Sequence, residues 1–309
     1  MATISRQTKA LYYLKAYLRS WLPANANLSV INRLKRRLTQ EQIAEVESRT
    51  AYYNKMPTAP NPTGKYLIKD LRKAVKPKVY YFDAYKYAHF FDENLPVDFV
   101  FGDVIYIPEV PSIVKSRPIS DDNKNSILLN LNQVRHVKWI KNDRPFSQKE
   151  NKLIGRGTVF QRHRHRFYEM YFYHPMCDLG QINKEGGNPE WIKSKISIQQ
   201  HLNYKFILCL QGNDVATNLK WVMSSNSIAV MPKPTMETWF MEGLLVGGKH
   251  YIEIKDDYSD LEEQLKFYIA HPGECQRIID NAHLHCKQFF NRKVEDLCAL
   301  RVLEKYFIN

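Results

Sequence analysis

The chain has 309 residues, of which 44% are hydrophobic and 13% aromatic, with only 12 glycines and 15 prolines. This composition excludes a disordered chain, and the length predicts two domains of about 150 residues each. Net charge is +13, but residues 1–90 hold 17 Lys/Arg against 5 Asp/Glu, so a balance of +12 lies in the first third and +1 in the other 219 residues.

Residues 9–22 place Leu11, Leu14, Leu18 and Trp21 at helical spacing among Lys9, Lys15 and Arg19, which predicts a basic, aromatic amphipathic helix. Thr39-x-x-Gln42 reads as a capping box that starts a second helix, just after the cluster Arg33, Lys35, Arg36 and Arg37. This basic stretch is either a solvated face or a surface that meets anionic lipid, phosphorylated sugar or nucleic acid. Residues 54–64, with Pro57, Pro60 and Pro62, are expected to form a loop. Short apolar runs at Val97–Phe101, Ser126–Leu131 and Leu153–Gly155 read as buried parallel strands. Strands are then predicted at 204–210, 227–231 and 251–254, alternating with helices at 214–223, 235–245 and 261–270, the last begun by a capping box Ser259-x-x-Glu262. Two helices, 274–290 and 294–307, close the chain.

No apolar run approaches the roughly 20 residues of a membrane span, and the N-terminus has no signal-peptide core, so a cytosolic location is expected. Five cysteines without a C-x-x-C pair read as reduced packing residues. Neither G-x-G-x-x-G nor a Walker A motif occurs. Gly155-Arg156-Gly157-Thr158 ends a strand, where Arg156 offers a two-pronged fork to phosphate, or is simply exposed on a turn. Arg162, Arg164 and Arg166 follow, with His163 and His165 two apart, a spacing that turns them away from one another on a helix. At Gln211-Gly212-Asn213-Asp214 a strand hands over to a helix, with Asn213 able to cap, open N–H groups for a phosphate, and Lys220 about two turns in. Glu237 and Glu242, on the next predicted helix, either accept from a ribose diol or are surface charges.

The run 205–272, together with Lys115-Ser-Arg-Pro-Ile119, Val134-Arg-His136 and Arg156-Gly157, resembles glycosyltransferase family 90 over residues 95–290. Within this lipopolysaccharide-modifying and protein O-glucosyltransferase group, the resemblance is to the bacterial lipopolysaccharide core enzymes. It implies an α/β, GT-B-like architecture of two Rossmann-like domains facing a cleft. The expected division is an acceptor-side domain at 1–150, with a basic helical extension over 1–60, and a nucleotide-sugar domain at 151–309. The resemblance also implies an inverting, metal-independent transfer, without cofactor, in which a carboxylate deprotonates the acceptor and cations stabilise departing UDP.

Carried onto this sequence, the family's Arg-Gly-Ser/Thr turn falls on Arg156, Gly157 and Thr158, and its later arginine near Arg164. Gly212, Asn213, Asp214, Lys220 and Glu237 complete the expected donor side, with Asn218 where eukaryotic members carry an arginine. Lys115 and Arg117 are expected on the acceptor side. Asp103 follows Gly102 after an apolar strand and precedes Pro108 and Pro111, which nominates it as general base, with Glu109 as the local rival. The expected reaction moves glucose or galactose from a UDP-sugar to the inner core of lipopolysaccharide, at an anionic membrane face and without nucleic acid. A capsule or protein-serine acceptor, or a non-enzymatic anion-binding protein, are the alternatives.

Overall fold

The computed structural model describes residues 8–21, 26–136 and 138–308, together with the backbone of residues 3–5. The chain begins with a short strand, β1 (Thr3–Ser5), followed by helices α1 (Lys9–Trp21), α2 (Ser29–Lys35), α3 (Gln40–Tyr53) and α4 (Lys78–Ala88). Next come strands β2 (Phe99–Val100), β3 (Ser112–Val114), β4 (Ser116–Pro118) and β5 (Ser126–Leu128), then α5 (Gln133–His136), β6 (Trp139–Lys141) and β7 (Glu150–Gly157). The alternation continues with α6 (Arg162–Tyr171), β8 (Cys177–Gln181), α7 (Ile198–His201), β9 (Tyr204–Leu208), α8 (Leu219–Met223), β10 (Ile228–Met231), β11 (Met236–Thr238) and β12 (Ile252–Glu253). Helices α9 (Leu261–Ala270), α10 (Pro272–Lys287) and α11 (Arg292–Phe307) end it.

The protein is a mixed α/β chain that divides into two compact units. One comprises Met1–Arg6, Val137–Pro234 and Leu244–Lys287, and the other Gln7–His136, Thr235–Gly243 and Gln288–Asn309. Both are discontinuous, so neither is a continuous half such as 1–150 or 151–309. Long-range packing is the cause: β11 pairs with β4, and α11 packs along α3, which returns two late segments to the unit of the early helices.

The first unit is built on a five-stranded sheet in the order β12-β10-β9-β7-β8, every pair parallel. Leu153, Leu179, Phe206, Leu208, Val230 and Ile252 from its strands bury against Phe167 and Tyr171 of α6, Leu261 and Leu265 of α9, and Ile278 and Ile279 of α10. Burying each such side chain contributes about 1.5–3 kcal/mol, which is what holds helices onto the sheet. β1 adds a separate two-stranded ribbon with β6.

The second unit is mainly helical around α11, whose Leu297, Cys298, Leu300, Val302 and Leu303 are buried, with α2, α3 and α4 packed on it. It holds a three-stranded parallel sheet, β2-β3-β5, and the antiparallel pair β4-β11. The Thr39 capping box of α3 is formed: the Thr39 hydroxyl accepts from the Gln42 N–H and the Gln42 side chain accepts from the Thr39 N–H. The box expected at Ser259 is not, because the Ser259 hydroxyl donates to Asp257 at 2.8 Å and Asp260 becomes the first flanking residue of α9.

Helix α1 spans the predicted residues, but its packed face is not the leucine stripe. Tyr12 and Ala16 are buried against Phe82, and the Tyr12 hydroxyl donates to Asp83 at 2.8 Å. Leu11, Leu14, Leu18 and Trp21 are exposed, Trp21 to 75%. A polar tyrosine with a buried carboxylate partner outcompetes the leucines for this contact.

Candidate active site

In the parallel-sheet unit, β7 has β8 on one side and β9 on the other, so strand order reverses between β7 and β9. Parallel sheets open a crevice at the carboxyl end of such a reversal, where ligands bind. Arg164, in the first turn of α6, occupies it. Its Nη1 donates to the carbonyl of Thr158 at 2.8 Å, after β7, and its Nη2 and Nε donate to the carbonyls of Leu210 and Gln211 at 2.8 and 2.7 Å, after β9. Burial lowers its pKa from the usual arginine value, yet a guanidinium remains charged, so a cation with carbonyl partners stands at the reversal. Gly157 and Gly212 flank it; a Cβ at either would lie 3.8 and 3.7 Å from the guanidinium. Gln161 donates from Nε2 to Asn213 Oδ1 at 3.0 Å, tying the two loops together. Arg164, Gly157, Thr158, Gly212 and Asn213 are thus brought together at this end of the sheet.

Arg156 goes elsewhere. Its guanidinium donates to the Asp178 carboxylate at 2.8 Å and carbonyl at 2.7 Å. Asp178 is registered with Ile154, so this fork is drawn back along the sheet, over Gly180, where a Cβ would stand 2.9 Å from Arg156 Cδ. Lys193 and Tyr204 hold the same carboxylate at 3.0 and 3.2 Å.

The helix expected from Asp214 begins only at Leu219. Gln211 donates from Nε2 to the Asp214 carbonyl, Gly212 N–H to the Val215 carbonyl, and Asn218 from Nδ2 to the Leu208 carbonyl, so the segment folds back onto the strand end. Asn213 therefore caps no helix, Asp214 is buried in this loop, and Lys220 lies buried in the first turn of α8. His163 and His165 do turn apart: one ring nitrogen of His163 meets the Gln211 carbonyl at 3.0 Å, whereas His165 faces Glu169 at 3.2 Å.

The helix expected over 235–245 is also replaced, by β11 and a 3-10 turn at Glu242–Leu244. Residues 236–242 are all buried and so have no solvent face, and Met241 sits at φ 57°, outside helical space. Glu237 accordingly belongs to the helical unit, opposite Arg117 in the β4–β11 register. Arg117, fully buried, donates from Nε to Glu237 at 2.7 Å and from its other nitrogens to the carbonyls of Tyr52, Tyr53 and Ser126. The Tyr52 hydroxyl donates to the other Glu237 oxygen, and burial followed by that carboxylate raises the tyrosine pKa well above its ordinary value. Glu242 accepts from Thr238 N–H and hydroxyl, closing the turn.

Also in this unit, Asp103 and Lys115 follow the carboxyl ends of the neighbouring parallel strands β2 and β3. Gly102, at φ 141°, makes the turn after β2 that a side chain would resist. Lys115, 3% exposed, reaches Asp103 Oδ1 at 2.5 Å, while the carboxylate is 29% exposed. Glu109 is exposed farther along the loop. The carboxylate thus stands at a strand end, held by a buried ammonium and open to solvent. Sequence reasoning missed Asp178 and Tyr52: no strand was expected at Cys177–Gln181, and nothing local marked the tyrosine.

Residues 131–306 match the family model described as glycosyl transferase family 90. The chain is 40% identical over 304 residues to the O-glucosyltransferase LpsA of Dichelobacter nodosus, covering 97% of this chain and 95% of that protein. It is 27% identical over 120 residues to protein 027R of Frog virus 3 (isolate Goorha), 37% of this chain and 12% of that one. Matched over more than half its length by the family and nearly end to end by a glucosyltransferase, the chain belongs to glycosyltransferase family 90 and is a glycosyltransferase.

Proposed function

We propose that this protein transfers a hexose, glucose or galactose, from a UDP-sugar to the inner core of lipopolysaccharide, with inversion and without a divalent metal. The division of labour is that of GT-B enzymes: the parallel-sheet unit takes the nucleotide sugar, and the helical unit carries the base. The observation that carries the reading is Arg164 at the β7/β9 reversal, where a buried cation and open loop ends suit a diphosphate. Asp103 then accepts the proton of the acceptor hydroxyl as that oxygen bonds the anomeric carbon, and the C–O bond to UDP breaks, its electron pair leaving on the diphosphate. Lys115 orients the carboxylate.

Among the described residues no helix is long and apolar enough to cross a membrane. In this reading the enzyme instead rests on an anionic membrane face through the exposed Leu11, Leu14, Leu18 and Trp21 of α1, with Lys9 and Lys15 supplying charge complementarity.

Release of UDP from UDP-glucose or UDP-galactose by purified protein, in the presence of chelator, tests the reaction. Mass spectrometry of lipopolysaccharide from cells with and without the protein tests the acceptor, through loss of one hexose. For the donor site, Arg164→Met should weaken UDP binding at least about tenfold by calorimetry. Unchanged UDP affinity in the folded variant would remove the sheet edge from the donor site.

A further inference from the structure

We propose that the open depression lined by Ser29, Asn32, Arg33, Arg36 and Arg37 is a binding site for a phosphoryl group, separate from the residues that handle the nucleotide sugar. It has a volume of about 400 Å³, and no acidic residue lines it. Arg33 and Arg36 are three apart and Arg33 and Arg37 four apart on α2 and the turn that continues it, a spacing that stacks like charges on one face. Such charges repel, and none of the three meets a carboxylate among the described residues.

Their neighbours behave differently. Lys35 turns to Glu47, and Arg49, Arg72, Arg292 and Arg301 of the same unit each reach an acid. Here α2 collects three guanidiniums beside the neutral side chains of Ser29 and Asn32, with no acid among the lining residues. A tetrahedral dianion satisfies this arrangement, because each guanidinium presents paired N–H groups to two phosphoryl oxygens. Val30 and Ile31 are the buried residues of α2, whereas Arg33, Arg36 and Arg37 are exposed.

The ligand is a phosphate ester, borne either by a phosphorylated saccharide or by a lipid headgroup. Only the source of the phosphate rests on the lipopolysaccharide reading.

The test compares the full-length protein with a triple variant, Arg33→Gln, Arg36→Gln and Arg37→Gln, using glucose 6-phosphate with glucose as control, and vesicles of phosphatidylglycerol with phosphatidylcholine as control. A saccharide phosphate source predicts that wild type binds glucose 6-phosphate but not glucose, at least about tenfold more weakly in the variant. A headgroup source predicts that recovery with phosphatidylglycerol vesicles drops in the variant while phosphatidylcholine recovery stays the same. Unchanged binding of both probes would overturn the proposal, as would an equal loss of UDP affinity, which would show a general defect. The triple lysine variant keeps the charge and loses the forks; it should bind at an intermediate level, and full retention would overturn the guanidinium site. Neither readout involves sugar transfer, so failure here and failure of the transferase reading are separately visible.

Discussion

Replacing Asp103 with Asn removes a proton acceptor while keeping the side chain's size and one oxygen for Lys115. Two consequences can be separated. Loss of a general base lowers turnover by about 10²–10⁴, equivalent to about 3–5 kcal/mol of barrier at 1.36 kcal/mol per tenfold. The 3%-exposed Lys115 exchanges a charged partner at 2.5 Å for a neutral one, which costs about 1–3 kcal/mol of stability. Thermal melting of Asp103→Asn should thus fall by a few degrees, UDP affinity by calorimetry should match wild type, and UDP release should collapse. Lys115→Met keeps the carboxylate but frees its orientation, so its turnover should lie between wild type and Asp103→Asn. Near wild-type turnover in Asp103→Asn would refute the assignment, and a collapse confined to Glu109→Gln would move the role to Glu109.

Glu237→Gln leaves the fully buried Arg117 without its carboxylate, and loss of about 3–5 kcal/mol should appear in urea denaturation with UDP affinity retained. A fall in UDP affinity at unchanged stability would instead make Glu237 a donor ligand. Burial raises the Asp83 carboxyl to about 6, above its unfolded value of 3.8. The folded state therefore holds this proton longer than the unfolded state, and its contribution to stability declines as pH rises from about 4 to 6, by about 3 kcal/mol at most, and is level above. Asp83→Asn should remove that segment of the pH dependence; parallel curves for the two proteins would exclude it. Leu14→Glu with Leu18→Glu should abolish flotation with anionic liposomes and leave UDP release from soluble substrate intact, and equal flotation would detach α1 from the membrane reading.

Where structure follows from neighbours along the chain, the sequence was sufficient. The helical periodicity of residues 9–21 and the Thr39 capping box depend on contacts within a few residues, and the strands at 204–208 and 228–231 were marked by their own apolar runs. The motifs of the family likewise marked Arg164 and the loop ends at Gly157 and Gly212, which the sheet does bring together. Tertiary structure decided the rest through partners remote in sequence. Residues 236–238 became a strand because Arg117, 120 positions away from Glu237, supplied both a backbone edge and a counter-charge, which local helix propensity could not register. Arg156 was drawn to Asp178 rather than to the strand end, since adjacent parallel strands set the two side chains within reach. Periodicity also cannot say which side of a helix is packed: α1 turned Tyr12 inward because Asp83 waited there, and left its leucine stripe to the solvent.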